Sequence, residues 1–505
     1  MDAIEQLKQD VRAGRIDAQR LVDLIATQQR ELQAAQQRIA DLEKQLAGSA
    51  TAKVDEPFSL RAEEKRQQAR GQKKPQPKRK GRRGRFTTAD KVAQAERSVD
   101  VVPDGLDKNA CQLSHVRPVW RLENGRAVLI AYHIYRGPHN QYGKIPGVLG
   151  RSEFGLEIVV AIAYLVYVVG LSFDKVCLVF SFFQNLKLGK AQADALLQQL
   201  ARHWHNEFEI LCTLLANSWV VHTDETSWSL NSVWAFLSEK ARLLFFGVHK
   251  DAATLKHILD PATFAGIVFS DDAAVYANFT QAQKCWAHLL RKAIKLTLQD
   301  PHNPEYRRFT DKLLAIYRAA CRVQHDKRLG DGGRTQKIAA LDDELLALCG
   351  PLWFMELPPL EGPDNDYRLL VNEIMRLALA QELFTFVSAQ PVEQPNGTTP
   401  PLGATNNAAE RILRAPAEAR KTGRTNKTMN GARRQTILTS VLESLRLYLP
   451  TFTLASVLAE IQRWLDKGRS CFTELLEKLK LPSPQESVLD RVLPPPQRVL
   501  PHPSG

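Results

Sequence analysis

From Leu21 to Leu46 the core positions recur in alternating steps of four and three: Leu21, Ile25, Gln28, Leu32, Ala35, Ile39, Leu42 and Leu46. This heptad seam, broken by a polar Gln28 and a small Ala35, predicts a coiled-coil oligomerisation helix over residues 1–48 and a homo-oligomer. The alternative is one amphipathic helix lying on the body of the protein. Apolar positions then thin out, and residues 49–95 read as a basic, disordered linker. Residues 96–152 are mixed, with a strand-like run at Ala127–Tyr135, and predict a small module without a legible role. Helical periodicity dominates 153–216, a helical domain suited to packing or to DNA binding. The apolar run from Ile158 to Phe173 is closed by Glu157 and Asp174 and is shorter than the roughly twenty residues of a membrane span. It predicts a buried helix. Lys190 to Ala216 reads as one long amphipathic helix.

The period changes at residue 217. Trp219–Thr223, Ser232–Leu237 and Leu243–Val248 are short β-rich runs joined by polar turns, followed by a helix near Ala252–Leu259 and a fourth strand at Gly266–Ser270. Three hairpin-linked strands and then an α-β step is the order of an α/β ribonuclease-H-like catalytic core, with its first part at 217–299. A helical insertion fills 300–404 and ends in a Pro-rich hinge at 391–401. The second part of the core, 405–447, opens a basic helix at Asn407. Residues 448–505 bring further helices and a Pro-rich tail, expected to be unstructured from Pro482.

The 505-residue chain exceeds the size at which a single core stops growing, and 44% apolar residues suffice for a large one. Its net charge of +13 is unevenly spread: Arg61 to Arg85 carries twelve Lys or Arg against Glu63 and Glu64. Such a segment, with Lys78, Arg79, Lys80, Arg82, Arg83 and Arg85 at its end, would hold phosphates without regard to sequence. A solvating linker is the bland alternative. Seven scattered cysteines with no Cys-x-x-Cys pair argue against a disulfide framework and fit a reducing cytoplasm. The first thirty residues are polar and charged, with no signal peptide visible.

Three acidic settings concentrate the chemistry: Asp224 in His222-Thr-Asp-Glu-Thr, Asp271 in Phe269-Ser-Asp-Asp, and Glu410 in Asn406-Asn-Ala-Ala-Glu-Arg. Carboxylates gathered from two strand ends and a helix make a site for paired divalent cations in phosphodiester chemistry. Each residue has a local competitor. Glu225 neighbours Asp224, and strand periodicity sends the two to opposite faces without saying which is the ligand. Asp272 neighbours Asp271, and either could cap the chain that follows. Arg414 lies one helical turn beyond Glu410 and could form a surface pair with it.

The blocks His222-Thr-Asp-Glu-Thr-Ser-Trp228, Ser270-Asp-Asp-Ala-Ala-Val-Tyr276, Cys285-Trp-Ala-His288-Leu-Leu-Arg-Lys292 and Asn406-Asn-Ala-Ala-Glu410-Arg-Ile-Leu-Arg414 resemble the insertion-sequence 66 family of bacterial transposases over roughly Phe154–Leu465. The resemblance implies that Asp224, Asp271 and Glu410 are catalytic and hold two Mg²⁺ or Mn²⁺ ions as an Asp-Asp-Glu triad. The spacing to Tyr276 in the family's block selects Asp271 over Asp272. It further implies a cytoplasmic, nucleoid-associated enzyme that cleaves and joins transposon ends in double-stranded DNA, with no membrane partner and with accessory transposition proteins as candidate partners. A hydrolytic nuclease without strand transfer and an inactive DNA-binding regulator are the alternatives. The family's zinc-binding cysteine cluster has only Cys111 to match it, so no zinc finger is expected. Cys285 and His288 match a short Cys-x-x-His element and are read as packing beside the site. Arg411, Arg414, Arg420 and Lys421, with Arg424, Lys427, Arg433 and Arg434 beyond them, are candidates for DNA phosphates. Trp228 and Trp234 are candidates for stacking on an unpaired base, with core packing as the competing role.

Overall fold

The computed structural model describes residues 87–355, 361–400 and 402–494, so the expected coiled coil and the basic segment ending at Arg85 lie outside the described residues. The described chain opens with α1 (Thr88–Ala93), where Thr87 accepts the Asp90 N–H and the Asp90 carboxylate accepts the Thr87 N–H. The end of the stretch read as linker is therefore helical. Next come β1 (Arg97–Val101), β2 (Gln112–Glu123) and β3 (Arg126–Arg136), a three-stranded sheet in the order β1-β3-β2. The β2–β3 hairpin turns on Asn124 and Gly125, both at positive φ, the conformation such a two-residue turn requires.

Four helices follow: α2 (Leu156–Tyr167), α3 (Phe173–Gln184), α4 (Lys190–His203) and α5 (His205–Ala216). The apolar run is the helix α2, with Ile158, Ile162 and Ala163 fully buried, and no helix among the described residues is long and apolar enough to cross a membrane. The expected single helix from Lys190 to Ala216 is two. The backbone leaves the helical conformation at Trp204, whose buried indole packs edge-on against Trp464.

The second sheet holds β4 (Val220–Ser227), β5 (Ser232–Ser238), β6 (Arg242–Val248), β7 (Ile267–Ser270) and β8 (Ala282–Lys284), with α6 (Ala252–Ile258) between β6 and β7. Its order is β6-β5-β4-β7-β8: β4, β5 and β6 run antiparallel, and β7 and β8 add in parallel. Two details depart from the periodicity. Strand β4 continues past Thr223 to pair Ser227 with Ser232, so Asp224 lies inside the strand and not at its end. The polar run Ala282-Gln-Lys284 is a strand, because backbone pairing with β7 decides it and Gln283 finds buried partners in the carbonyl of Leu383 and the N–H of Phe386.

Helices α7 (Trp286–Gln299), α8 (Pro304–His325), α9 (Asp331–Trp353), α10 (Gly362–Leu379) and α11 (Thr385–Ser388) share a core of their own around Leu313, Leu345, Val371 and Phe386. After the Pro-rich stretch come α12 (Asn407–Lys421), α13 (Met429–Tyr448), α14 (Leu454–Lys467), α15 (Cys471–Lys478) and α16 (Val488–Val492). Helix α13 closes the exposed edge of β6. Thr436, Ser440 and Ser444, each four residues apart, accept the N–H groups of Phe246, Leu244 and Arg242 at 2.9–3.0 Å. Each of these donors, buried without a partner, would cost about 1–3 kcal/mol, so one helical face of hydroxyls does the work of a sixth strand. The Pro-rich tail is not unstructured from Pro482. The buried Glu209 carboxylate accepts the Ser487 hydroxyl and the Val488 and Leu489 N–H groups, and Leu489 and Leu493 are fully buried.

Candidate active site

The pleat of β4 sends Asp224 and Glu225 to opposite faces, opposite Ala235 and Trp234 of β5. Glu225 is spent inside the fold. It ion-pairs with Lys250 and accepts the Tyr276 hydroxyl, which in turn accepts the Trp234 indole N–H at 2.6 Å. Asp224 accepts the neighbouring Glu225 N–H at 2.9 Å. Burial pushes its carboxyl from the ordinary 3.8 up to about 7, and the charges of Glu225, Asp271 and Glu410 push the same way.

Asp271 reaches this neighbourhood through sheet register. Parallel pairing sets His222, two residues before Asp224, against Phe269, two residues before Asp271. The Asp271 carboxylate accepts the Ala273 N–H at 3.1 Å and so fixes its own turn. Asp272 points to different work, an ion pair with Arg376 of α10. Glu410 lies in the first turn of α12, where the positive end of the helix favours an anion. Its carboxylate accepts from Arg291 of α7 at 2.7 Å and lies 3.7 Å from His288, in place of the local pair with Arg414 that helical spacing allowed.

Asn406 ties these elements together. As the residue before α12 it could cap its own helix, but its side chain makes no cap bond. The amide instead donates to the Thr223 carbonyl at 2.7 Å, one residue before Asp224, while the Asn406 N–H donates to the Cys285 thiol at 3.2 Å. Cys285 in turn donates its N–H to the Ser270 carbonyl at 3.0 Å, one residue before Asp271. One chain of hydrogen bonds thus joins the backbones that carry Asp224, Asp271 and Glu410. The Asn406 carboxamide also meets the buried His222 ring, and burial outweighs that contact and holds the imidazole neutral at a pKa of about 4.

Two lysines face the carboxylates. Lys250 has its pKa raised by Glu225 first, with Asp271 and Asp224 adding to it. Lys284 is buried and donates to Ser270 Oγ at 3.2 Å, and its burial lowers its pKa against the charges of Glu382, Asp272 and Asp271. Beside Asp271 a cavity of about 620 Å³ opens toward α10, lined in part by Lys284, His288, Lys292, Asn372 and Arg376. Asp224 and Asp271 make no ion pair among the described residues, and carboxylate oxygens of this kind suit hard divalent cations.

Other expected site residues are distributed differently. Trp234 is fully buried, and Trp228 is buried against Phe246, so neither presents a face to a base. The packing role wins because both rings fill the sheet's own layers. Arg420 donates to Ser227 and Thr226 at the end of β4, Arg424 to the Gly170 carbonyl, and Arg433 to Asp490 and the Leu489 and Leu493 carbonyls. Arg434 is buried on Tyr167 and Asp194. Arg411, Arg414 and Lys421 are exposed on α12. Lys78, Arg79, Lys80, Arg82, Arg83 and Arg85 lie outside the described residues. Sequence reading passed over Lys250, Lys284, Arg291 and the linking role of Asn406. The signal available for two of them was position: Lys284 directly precedes the Cys285 block, and Asn406 opens the Glu410 block.

A family model described as Transposase IS66 family matches residues 151–349. The matched span includes Asp224, Asp271, Cys285 and His288 and stops before Glu410. No curated protein matches the chain.

Proposed function

We propose, from the IS66 transposase match over residues 151–349, that the chain is a DNA transposase whose Asp224, Asp271 and Glu410 hold two Mg²⁺ or Mn²⁺ ions and catalyse strand cleavage and strand transfer at transposon ends. The observation that carries this reading is the state of Asp224: burial raises its carboxyl to about 7, and the charges of Glu225, of Asp271 beyond β7 and of Glu410 on α12 add to the rise. Carboxylates crowded in this way repel each other, and cations bound through oxygen relieve the repulsion. The order β6-β5-β4-β7-β8, three antiparallel strands with two parallel additions, supports reading the core as ribonuclease-H-like.

When bound, the cations would lower the pKa of the attacking hydroxyl and neutralise charge at the scissile phosphate. The chain's own residues supply position. Asp224 is fixed by the rigid centre of the sheet, Asp271 by its own turn, and Glu410 by the Asn406 bond to Thr223. Arg291 and His288 hold the Glu410 carboxylate from the α7 side. Exposed Arg411, Arg414 and Lys421 continue the basic face of α12 past Glu410 and would position double-stranded DNA by its phosphates. The basic segment through Arg85 would add affinity that falls as salt rises.

The test is a strand-cleavage and joining assay on DNA bearing the element's ends. Wild-type chain with Mg²⁺ or Mn²⁺ should release a 3′-hydroxyl end and join it to target DNA. Asp224→Asn, Asp271→Asn and Glu410→Gln should each lose both steps and keep DNA binding. Cleavage without joined products would favour a purely hydrolytic nuclease, and undiminished processing by the three variants would reject the triad.

A further inference from the structure

Among the described residues, one cluster of mixed donors is able to hold a metal, and it shares Glu410 with the proposed triad: Cys285 Sγ, a His288 ring nitrogen and a Glu410 carboxylate oxygen, all within 4.8 Å of one another. Cys285 is the residue before α7 and His288 lies three residues on, so the helical turn puts both on one face. Glu410 comes from the first turn of α12 against that face. The sequence offered only the Cys-x-x-His pair, and two ligands do not close a site; the packing of α12 supplies the third.

Several features fit a cation softer than Mg²⁺. A thiol, an imidazole and a carboxylate are the donors of three-ligand zinc sites, which leave a fourth position for water. His288 Nδ1 is buried without a hydrogen-bond partner. The Asn406 N–H already points at Cys285 Sγ at 3.2 Å, the outer-sphere bond that steadies a thiolate. A metal bound there would take the sulfur as thiolate and release its proton. Tetrahedral zinc would need the donors roughly 3.5 Å apart, so they would close by about an ångström. Arg291, whose side chain is more than half exposed, can release Glu410 as they do.

We propose that Cys285, His288 and Glu410 form a zinc site, and that filling it withdraws Glu410 from the cluster with Asp224 and Asp271. The first half stands on the geometry alone. The second rests on the proposed function, and makes zinc an inhibitor that competes with Mg²⁺ for one carboxylate.

Metal-free full-length chain titrated with Co²⁺, and then with Zn²⁺ to displace it, tests the site without any DNA. Wild type should show one equivalent of bound Co²⁺ with a sulfur-to-cobalt charge-transfer band in the near ultraviolet. Cys285→Ser should lose the band, and His288→Gln and Glu410→Gln should each weaken binding at least ten-fold. If Cys285→Ser does not fold by circular dichroism, the His288→Gln titration decides. A wild-type spectrum without the sulfur band, or a band and affinity unchanged in the folded variants, overturns the site. Where strand cleavage is observed, micromolar Zn²⁺ should suppress it at fixed Mg²⁺ in wild type and ten-fold less effectively in Cys285→Ser. Equal suppression in both overturns the competition. A chain that never cleaves DNA but shows the cobalt signature would reject the transposase reading and leave the metal site standing.

Discussion

Replacing Asp224 by Asn should stabilise the metal-free protein at neutral pH while removing its chemistry. The folded state favours the protonated Asp224 carboxyl up to about 7, against 3.8 for an unperturbed group. Between those values the native chain binds more protons than the unfolded one, so stability is full below pH about 4 and declines as pH rises through 7. The interval is roughly three pH units at ~1.4 kcal/mol each, which sets a ceiling of about 4 kcal/mol. Asparagine is neutral throughout and keeps the oxygen that accepts the Glu225 N–H. In chelator, unfolding of wild type and Asp224→Asn should therefore coincide near pH 4 and diverge by about 2–4 kcal/mol at pH 8, with the variant the more stable. Millimolar Mn²⁺ should raise the wild-type melting temperature at pH 8 and leave the variant's nearly unchanged, closing the gap by mass action. The assay is thermal and urea unfolding across that pH range, with and without the cation. Parallel pH profiles of the two proteins in chelator, or equal Mn²⁺ responses, would refute the idea that the buried charge of Asp224, set among other carboxylates, is what the cations relieve.

Three further outcomes follow from single substitutions. Asn406→Ala leaves the Thr223 carbonyl without its 2.7 Å donor and frees the start of α12, so it should cost about 1–3 kcal/mol in unfolding experiments and raise the Mn²⁺ concentration needed for half-maximal cleavage. Arg434→Met removes a buried guanidinium from Tyr167 and from the exposed Asp194 and should lower stability by about 1–3 kcal/mol with DNA affinity per folded molecule unchanged, whereas exposed Arg414→Ala should do the reverse, as unfolding and salt-dependent binding titrations would show.

Periodicity alone was enough for most elements of the second sheet. The short β-rich apolar runs Ser232–Leu237 and Leu243–Val248, and the polar turns between strands, mark β5 and β6 because run length and composition are local. It ended β4 too early because the polar Asp224-Glu-Thr-Ser227 has no apolar alternation, and only the ladder to β5 makes it a strand. It missed β8 for the same reason, and it joined α4 to α5 because nothing in the helical period marks the burial of Trp204 against Trp464. The tryptophans near the site were open to two readings for a related cause: a ring's burial depends on what packs over it.

What the amino-acid order settled by itself is the supply of chemistry: three acidic blocks, the Cys285–His288 pair, the basic helix and the segment rich in Lys and Arg are all properties of neighbouring residues. Which carboxylate of each adjacent pair is free was a tertiary decision. Glu225 is consumed by Lys250 and Tyr276, and Asp272 by Arg376, partners that lie 25 to 104 positions away and meet them only when the sheet and α10 are in place. The electrostatic coupling of Asp224 to Asp271 and Glu410, and the arrival of Glu410 beside Cys285 and His288, belong to the same class. Interactions between charges depend on distance in space, and folding alone sets that distance.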